Sequence, residues 1–209
     1  MTNRTRIKLC GLTRQEDIRT VNSLRPDYVG FVFYAKSRRC VTEAQAARLK
    51  EQLDPSVKAV GVFVNEDPAV IADLLNQGII DLAQLHGQED TDYYNRLRSL
   101  TDKPLIKAFR VESPADCLPA EVYPSDGILL DSGMGSGVAF DWSAVAGVKR
   151  PYFLAGGLHA GNVAAAIRTL HPFAVDVSSG IETDGSKDKE KMKAFVEAVQ
   201  SADSGTIPS

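Results

Sequence analysis

Eight short runs rich in β-branched and other apolar residues recur along this chain at a nearly constant interval, and that rhythm limits the fold more than any other feature. The runs are Ile7–Cys10, Tyr28–Phe33, Lys58–Val64, Asp81–His86, Leu105–Phe109, Gly127–Asp131, Tyr152–Ala155 and Ala174–Val177. Their last residues, 10, 33, 64, 86, 109, 131, 155 and 177, lie 23, 31, 22, 23, 22, 24 and 22 apart. Each interval has room for one strand, one helix and two short loops. Most runs are continuously apolar rather than alternating, as a parallel strand covered on both faces requires.

The intervening segments carry helix signals. Thr13 to Glu16 reads as a capping box ahead of Ile18, Val21 and Leu24, and Thr42 to Gln45 repeats the device. Asp67-Pro68 sets an N-cap and a first-turn proline before Val70, Ile71, Leu74 and Leu75, with Gly78 placed to end the helix. Asn162–Leu170 and Lys187–Gln200 show apolar stripes, the second through Met192, Phe195, Val196 and Val199. The helix after Phe109 is the weakest, crowded by Pro114, Pro119 and Pro124. Eight uninterrupted βα units predict a single-domain (β/α)8 TIM barrel over residues 1–200, with a small, polar tail at 201–209 that frays. An open doubly wound sheet would want a glycine-rich GxGxxG turn after the first strand, where this chain reads Gly11-Leu12-Thr13.

Composition narrows the function classes. A formal charge of -3, from 24 Lys and Arg against 27 Asp and Glu, gives no basic footprint for nucleic acid. Three cysteines, at 10, 40 and 117 without a CxxC, argue against a disulfide framework or structural zinc and point to the cytoplasm. No apolar run approaches the roughly 20 residues of a membrane span. The expected partner is a small molecule, and the chain is expected to act as a monomer or a homodimer.

In a barrel of this kind chemistry collects where strands end. Cys10, Arg39, His86, Asp131, Gly156-Gly157 and the run Asp176 to Gly180 all fall there. Gly156, Gly157, Ser178, Ser179 and Gly180 close the seventh and eighth strands, where backbone N–H groups bind phosphate in this fold, although the glycines would also serve tight left-handed turns. Gly133 to Gly137 reads either as a cover over the site or as a linker. Asp131 follows Ile-Leu-Leu, and an acid in that place is hard to explain as packing. A thiol at Cys10 and a carboxyl at Asp131 would face each other across the mouth as proton acceptor and donor. Lys8, two residues before Cys10 on the same face, either helps the thiol ionise or braces the barrel interior. His86 reads as a hydrogen-bonded lining residue, and Asp176 as a substrate contact or an interior brace.

Taken in order, Lys8 to Thr13, Gly30 to Phe33, Val60 to Asn65, Gln84 to Gly87, Leu130-Asp131, Gly135 to Gly137 with Phe140 to Trp142, Leu154 to Leu158 and Asp176 to Glu182 make the sequence resemble the phosphoribosylanthranilate isomerases of tryptophan biosynthesis over nearly its whole length. The resemblance implies a barrel that converts N-(5-phosphoribosyl)anthranilate to 1-(o-carboxyphenylamino)-1-deoxyribulose 5-phosphate with no cofactor and no metal. It also implies Cys10 as general base, Asp131 as general acid and Arg39 as the contact for the anthranilate carboxylate, leaving Arg38 as a solvated surface charge pointing away from it. Two departures stand out: Ser37-Arg38-Arg39 where the family often has Ser-Pro-Arg, and Met134 where it often has glycine. Other phosphosugar barrels compete with this expectation: a lyase, which would need a catalytic Lys and Glu pair, and a metal-dependent epimerase, which would need His and Asp ligands. A silent phosphate-ligand sensor would lack Cys10 or Asp131.

Overall fold

The computed structural model describes residues 4–131 and 142–204. The eight expected strands form, and they close: β1 (Arg6–Cys10), β2 (Tyr28–Val32), β3 (Lys58–Phe63), β4 (Leu82–Leu85), β5 (Leu105–Arg110), β6 (Gly127–Asp131), β7 (Tyr152–Ala155) and β8 (Ala174–Val177) follow one another round a parallel barrel. The closing pair, β1 with β8, sets Ile7 opposite Val175 and Lys8 opposite Asp176. Side chains alternate in and out along each strand, so two apolar layers result. Ile106, Ala108, Leu129, Phe153, Ala155 and Ala174 fill the barrel interior, with Tyr28 and Leu82 packed on them. Ile7, Leu9, Phe31, Phe63, Leu130 and Val175 belong to the larger core shared with the helices.

The helices are α1 (Gln15–Leu24), α2 (Glu43–Glu51), α3 (Pro68–Asn76), α4 (Thr91–Arg98), α5 (Leu118–Val122), α6 (Val163–Leu170) and α7 (Lys189–Asp203). Thr42 and Asp67 cap α2 and α3 as their sequences predict, accepting from the N–H groups of Gln45 and Ala69. The first capping box is displaced: Arg14, not Thr13, is the N-cap, and the Asp17 carboxylate accepts from the N–H of both. The proline-crowded segment yields a 3₁₀ turn at Pro114–Cys117 and a five-residue α5. Between β6 and β7 the described residues hold a 3₁₀ turn at Trp142–Ala144, and the loop Gly133 to Gly137 lies outside them. At the other end, α7 runs through residues 201–203 instead of fraying at Ser201, because the Asp203 carboxylate accepts from the N–H and hydroxyl of Thr5, each at 2.8 Å. Among the described residues no helix is long and apolar enough to cross a membrane.

Candidate active site

A cavity of about 300 Å³ opens at the C-terminal ends of the strands, lined by Cys10, Val32, Ser37, Arg39, Val62, Gln84, His86, Asp131, Ala155 to Leu158, Asp176, Ser178 and Ser179. A larger one, about 540 Å³, opens at the opposite end between Arg6, Lys149, Arg168 and Phe173. Only the first gathers the residues that the sequence singles out. Gly180 is the exception, since it stands behind the wall with its Cα against the Leu158 carbonyl, in a space that no Cβ could share.

Cys10 ends β1 and points into the barrel because Gly30, its register partner on β2, has no side chain; a Cβ there would stand 2.5 Å from the Cys10 sulfur. Below it, Lys8 is closed to water and donates to Asp176 Oδ2 at 2.9 Å. Burial by itself would lower the Lys8 ammonium, yet Asp176 and Cys10 hold it above its usual range. Both sequence readings of Lys8 are therefore met: it braces the interior and stands beside the thiol. Its help does not win. Burial pushes the Cys10 thiol up from its ordinary value, and the positive charges of Lys8 and Lys187 offset only part of that rise. Asp176 keeps one oxygen, Oδ1, buried and without a partner among the described residues.

Asp131 ends β6, and its Oδ2 lies 3.3 Å from His86 Nε2. The His86 ring is held on its other side by the Gln84 amide, 2.8 Å from Nδ1. The loop that carries His86 rests on a buried ion pair, in which Lys107 donates to Glu89 at 2.8 Å and to the Gly87 carbonyl at 2.7 Å. Glu89 in turn accepts from the N–H of Asn65 and Gly87.

The arginine pair departs from expectation. Arg39 lies at the cavity wall and grips Glu182 with two parallel hydrogen bonds, Nε to Oε1 at 2.6 Å and Nη2 to Oε2 at 2.8 Å. Arg38 is exposed, as expected of a surface charge, but it does not point away, for its Nη2 reaches the same carboxylate at 2.7 Å. An extended chain would splay the two side chains, but Cys40 N–H bonds back to Ser37 O and folds the segment into a turn. Lys187, buried and unforeseen as a site residue, completes the cluster with 2.7 Å to Glu182 and 2.9 Å to the Ser178 carbonyl. Burial alone would raise the Glu182 carboxyl; the hydrogen bonds from Arg39 and Lys187 outweigh it and bring it down to about 2. Three cations on one carboxylate leave an excess of positive charge beside the cavity.

Across the mouth, Gly156 and Gly157 take φ of +93° and +62°, so the turn after β7 needs glycine whatever it binds. The Gly157 and Ser179 N–H groups donate to no acceptor among the described residues, and both residues border the cavity. Ser178 is pinned by its hydroxyl to the Cys10 carbonyl at 3.2 Å. The arrangement provides a buried thiol, a carboxyl 3.3 Å from an imidazole, N–H donors without an acceptor among the described residues, and an arginine on one small cavity.

Comparison with known proteins places the chain in a family. The family described as N-(5′-phosphoribosyl)anthranilate (PRA) isomerase matches residues 7–198. An N-(5′-phosphoribosyl)anthranilate isomerase of Endomicrobium trichonymphae is 42% identical, with 94% of this chain and 98% of the relative covered. The crystal structure of the Thermotoga maritima phosphoribosyl anthranilate isomerase superposes with a TM-score of 0.86 at 39% identity, covering 94% of this chain and 98% of that one. A further structure of such an isomerase, in complex with reduced 1-(o-carboxyphenylamino)-1-deoxyribulose 5-phosphate, has a TM-score of 0.84 at 38% identity, with the same coverage. By family match, identity and fold together, the chain belongs to the N-(5′-phosphoribosyl)anthranilate isomerase family.

Proposed function

We propose that, in the Amadori rearrangement this family member catalyses, N-(5-phosphoribosyl)anthranilate to 1-(o-carboxyphenylamino)-1-deoxyribulose 5-phosphate, Asp131 is the general acid and Cys10 the general base. Asp131 gives its proton to the furanose ring oxygen; the C1′–O bond breaks and the nitrogen lone pair forms a protonated imine. The imine acidifies the C2′ proton, which the Cys10 thiolate takes, and the freed electron pair makes the enolamine. Ketonisation then removes the O2′ proton and adds one at C1′. The acid has lost one proton and the base has gained one, so the enzyme's net charge is unchanged, and the starting pair is restored when the thiol's proton passes back to the carboxylate through solvent.

What supports this reading is the convergence of Cys10 and Asp131 on one cavity with the strand-7 and strand-8 loops. The phosphate sits on the N–H groups of Gly156, Gly157, Ser178 and Ser179, with Gly180 giving the two loops room to meet. Arg39, whose Nη1 has no partner among the described residues, takes the anthranilate carboxylate. Asp176 Oδ1 accepts from a ribose hydroxyl, and His86 lines the site beside Asp131. The ligand is thus a small phosphoribosyl compound, bound in the cytoplasm by a site that a single chain supplies, in a monomer or a homodimer. No step calls for a cofactor or metal.

A thiol pushed up by burial ionises well after any carboxylic acid. The reacting pair, thiolate with carboxylic acid, is therefore the minor arrangement of one proton shared over two groups. Activity is then flat around neutral pH, falls on the acidic side with the carboxyl and falls on the alkaline side with the thiol. The test is to mix the purified protein with phosphoribosylanthranilate and follow loss of anthranilate-type fluorescence, with and without chelator. A chelator-insensitive, phosphate-inhibited signal with that flat-topped profile is expected. No turnover, or phosphate inhibition that excess substrate does not relieve, contradicts the reading.

A further inference from the structure

Gln84 has no place in the chemistry above, yet it is almost wholly buried in the wall of the reaction cavity. We propose that Gln84 is a positioning residue that fixes the tautomer of His86 and so makes the imidazole a hydrogen-bond donor to Asp131. The proposal rests on the reading of Asp131 as the general acid.

Gln84 lies on β4 and His86 one residue past its end, and their side chains meet on one side of the chain. The Gln84 amide nitrogen, 2.8 Å from His86 Nδ1, has only hydrogens to offer. Nδ1 must then present its lone pair, which puts the proton of the neutral ring on Nε2. Nε2 is the atom that lies 3.3 Å from Asp131 Oδ2. When Asp131 gives up its proton, the carboxylate that forms already faces a donor. A second observation separates this from packing: the Gln84 carbonyl oxygen is buried without a partner among the described residues. A leucine would fill the position without that penalty, and the amide nitrogen is the one polar atom of this side chain with a partner among the described residues.

Among the described residues, the other charged groups named near Asp131 are engaged elsewhere or stand across the mouth. Lys107 is held on Glu89 beneath the β4–α4 loop, and Arg110, opposite Asp131 in the β5–β6 register, turns out to Glu112. Cys10, Arg39 and Asp176 border the same cavity. None of these touches Nδ1, so the tautomer is set from the Gln84 side.

The test uses Gln84→Met, which keeps length and loses the donor, and Gln84→Glu, which puts a carboxylate beside Nδ1. In ¹⁵N-histidine-labelled protein, with His86 assigned through His86→Asn, the parent shows the Nε2–H tautomer and Gln84→Met a mixture of the two. The acidic limb of the kcat/KM–pH profile moves up by about one pH unit in Gln84→Met, because the imidazole N–H is then no longer held toward the Asp131 carboxylate. It moves down in Gln84→Glu, because the ring then holds a second proton and favours that carboxylate. An Nδ1–H tautomer in the parent, or an unmoved limb in both folded variants, overturns the proposal. Asp131→Asn separates the two failures. If it keeps turnover, the acid assignment falls and the limb has no bearing on Asp131; if it is inactive while the limb of the Gln84 variants stays put, Gln84 alone is misread.

Discussion

Lys8 and Asp176 meet inside the barrel, Nζ to Oδ2 at 2.9 Å, with the lysine closed to water and Cys10 directly above on the same strand. The register of the two strands that close the barrel sets this pair: Lys8 on β1 lies opposite Asp176 on β8. Closure of the fold and the charge beneath the thiol are thus the same contact.

Removing one partner leaves the other as an uncompensated buried charge. Lys8→Met is expected to cost about 3–5 kcal/mol in urea unfolding. Combining it with Asp176→Leu should return most of that loss, since neither charge then remains. A double variant no more stable than Lys8→Met would show that the pair is not what the interior depends on.

Alkylation should follow burial and charge. Cys40 is exposed, whereas Cys10 and Cys117 are buried, and burial pushes the Cys10 thiol up. With iodoacetamide at neutral pH, peptide mapping should find Cys40 labelled first and Cys10 slowly, with Cys10 labelling accelerating as the pH is made alkaline and blocked by a bound product analogue. Cys10 labelled as fast as Cys40 at neutral pH would mean that the lysines win over burial.

Glu182 ties together Arg38, Arg39 and Lys187. Its folded carboxyl is brought down to about 2 from an ordinary 4.5, so it stabilises the fold above pH 4.5 and that contribution fades as pH falls toward 2. Glu182→Gln should lower Tm at neutral pH, and the gap to the parent should narrow as pH drops below 4.5. A gap independent of pH would assign the loss to packing rather than charge.

Arg39 borders the cavity and Arg38 does not. Arg39→Ala should therefore lower kcat/KM by about 2–4 kcal/mol in transition-state terms, and Arg38→Ala, half exposed and linked only through Glu182, by less than about 1 kcal/mol. A larger loss in Arg38→Ala would reverse the assignment of the carboxylate contact.

Most of the barrel is legible in the sequence because a parallel strand covered on both faces must be continuously apolar, and three of the eight, Gly127–Asp131, Tyr152–Ala155 and Ala174–Val177, keep their expected bounds. Cys10, His86, Asp131 and Asp176 are legible for the complementary reason: polar residues at the end of such runs need a use. Helix α1 starts one residue late because Asp17, not Glu16, turns back to the preceding N–H groups, and no spacing rule chooses between two adjacent acids. Glu182 and Lys187 lie beyond the last strand and reach Arg39 only through a short hairpin of β9 (Glu182–Thr183) and β10 (Ser186–Lys187), a contact more than 140 positions away in the chain. Gln84 did leave a signal: it is a polar residue inside an apolar strand, two places before a histidine.

The division of labour between thiol and carboxyl is tested most directly by steady-state turnover of phosphoribosylanthranilate with Cys10→Ala and Asp131→Asn, each shown folded by circular dichroism. Each substitution removes a proton-transfer group and little volume, so kcat should fall about 10²–10⁴-fold in both. Near-parental turnover in either folded variant would contradict the role given to that residue.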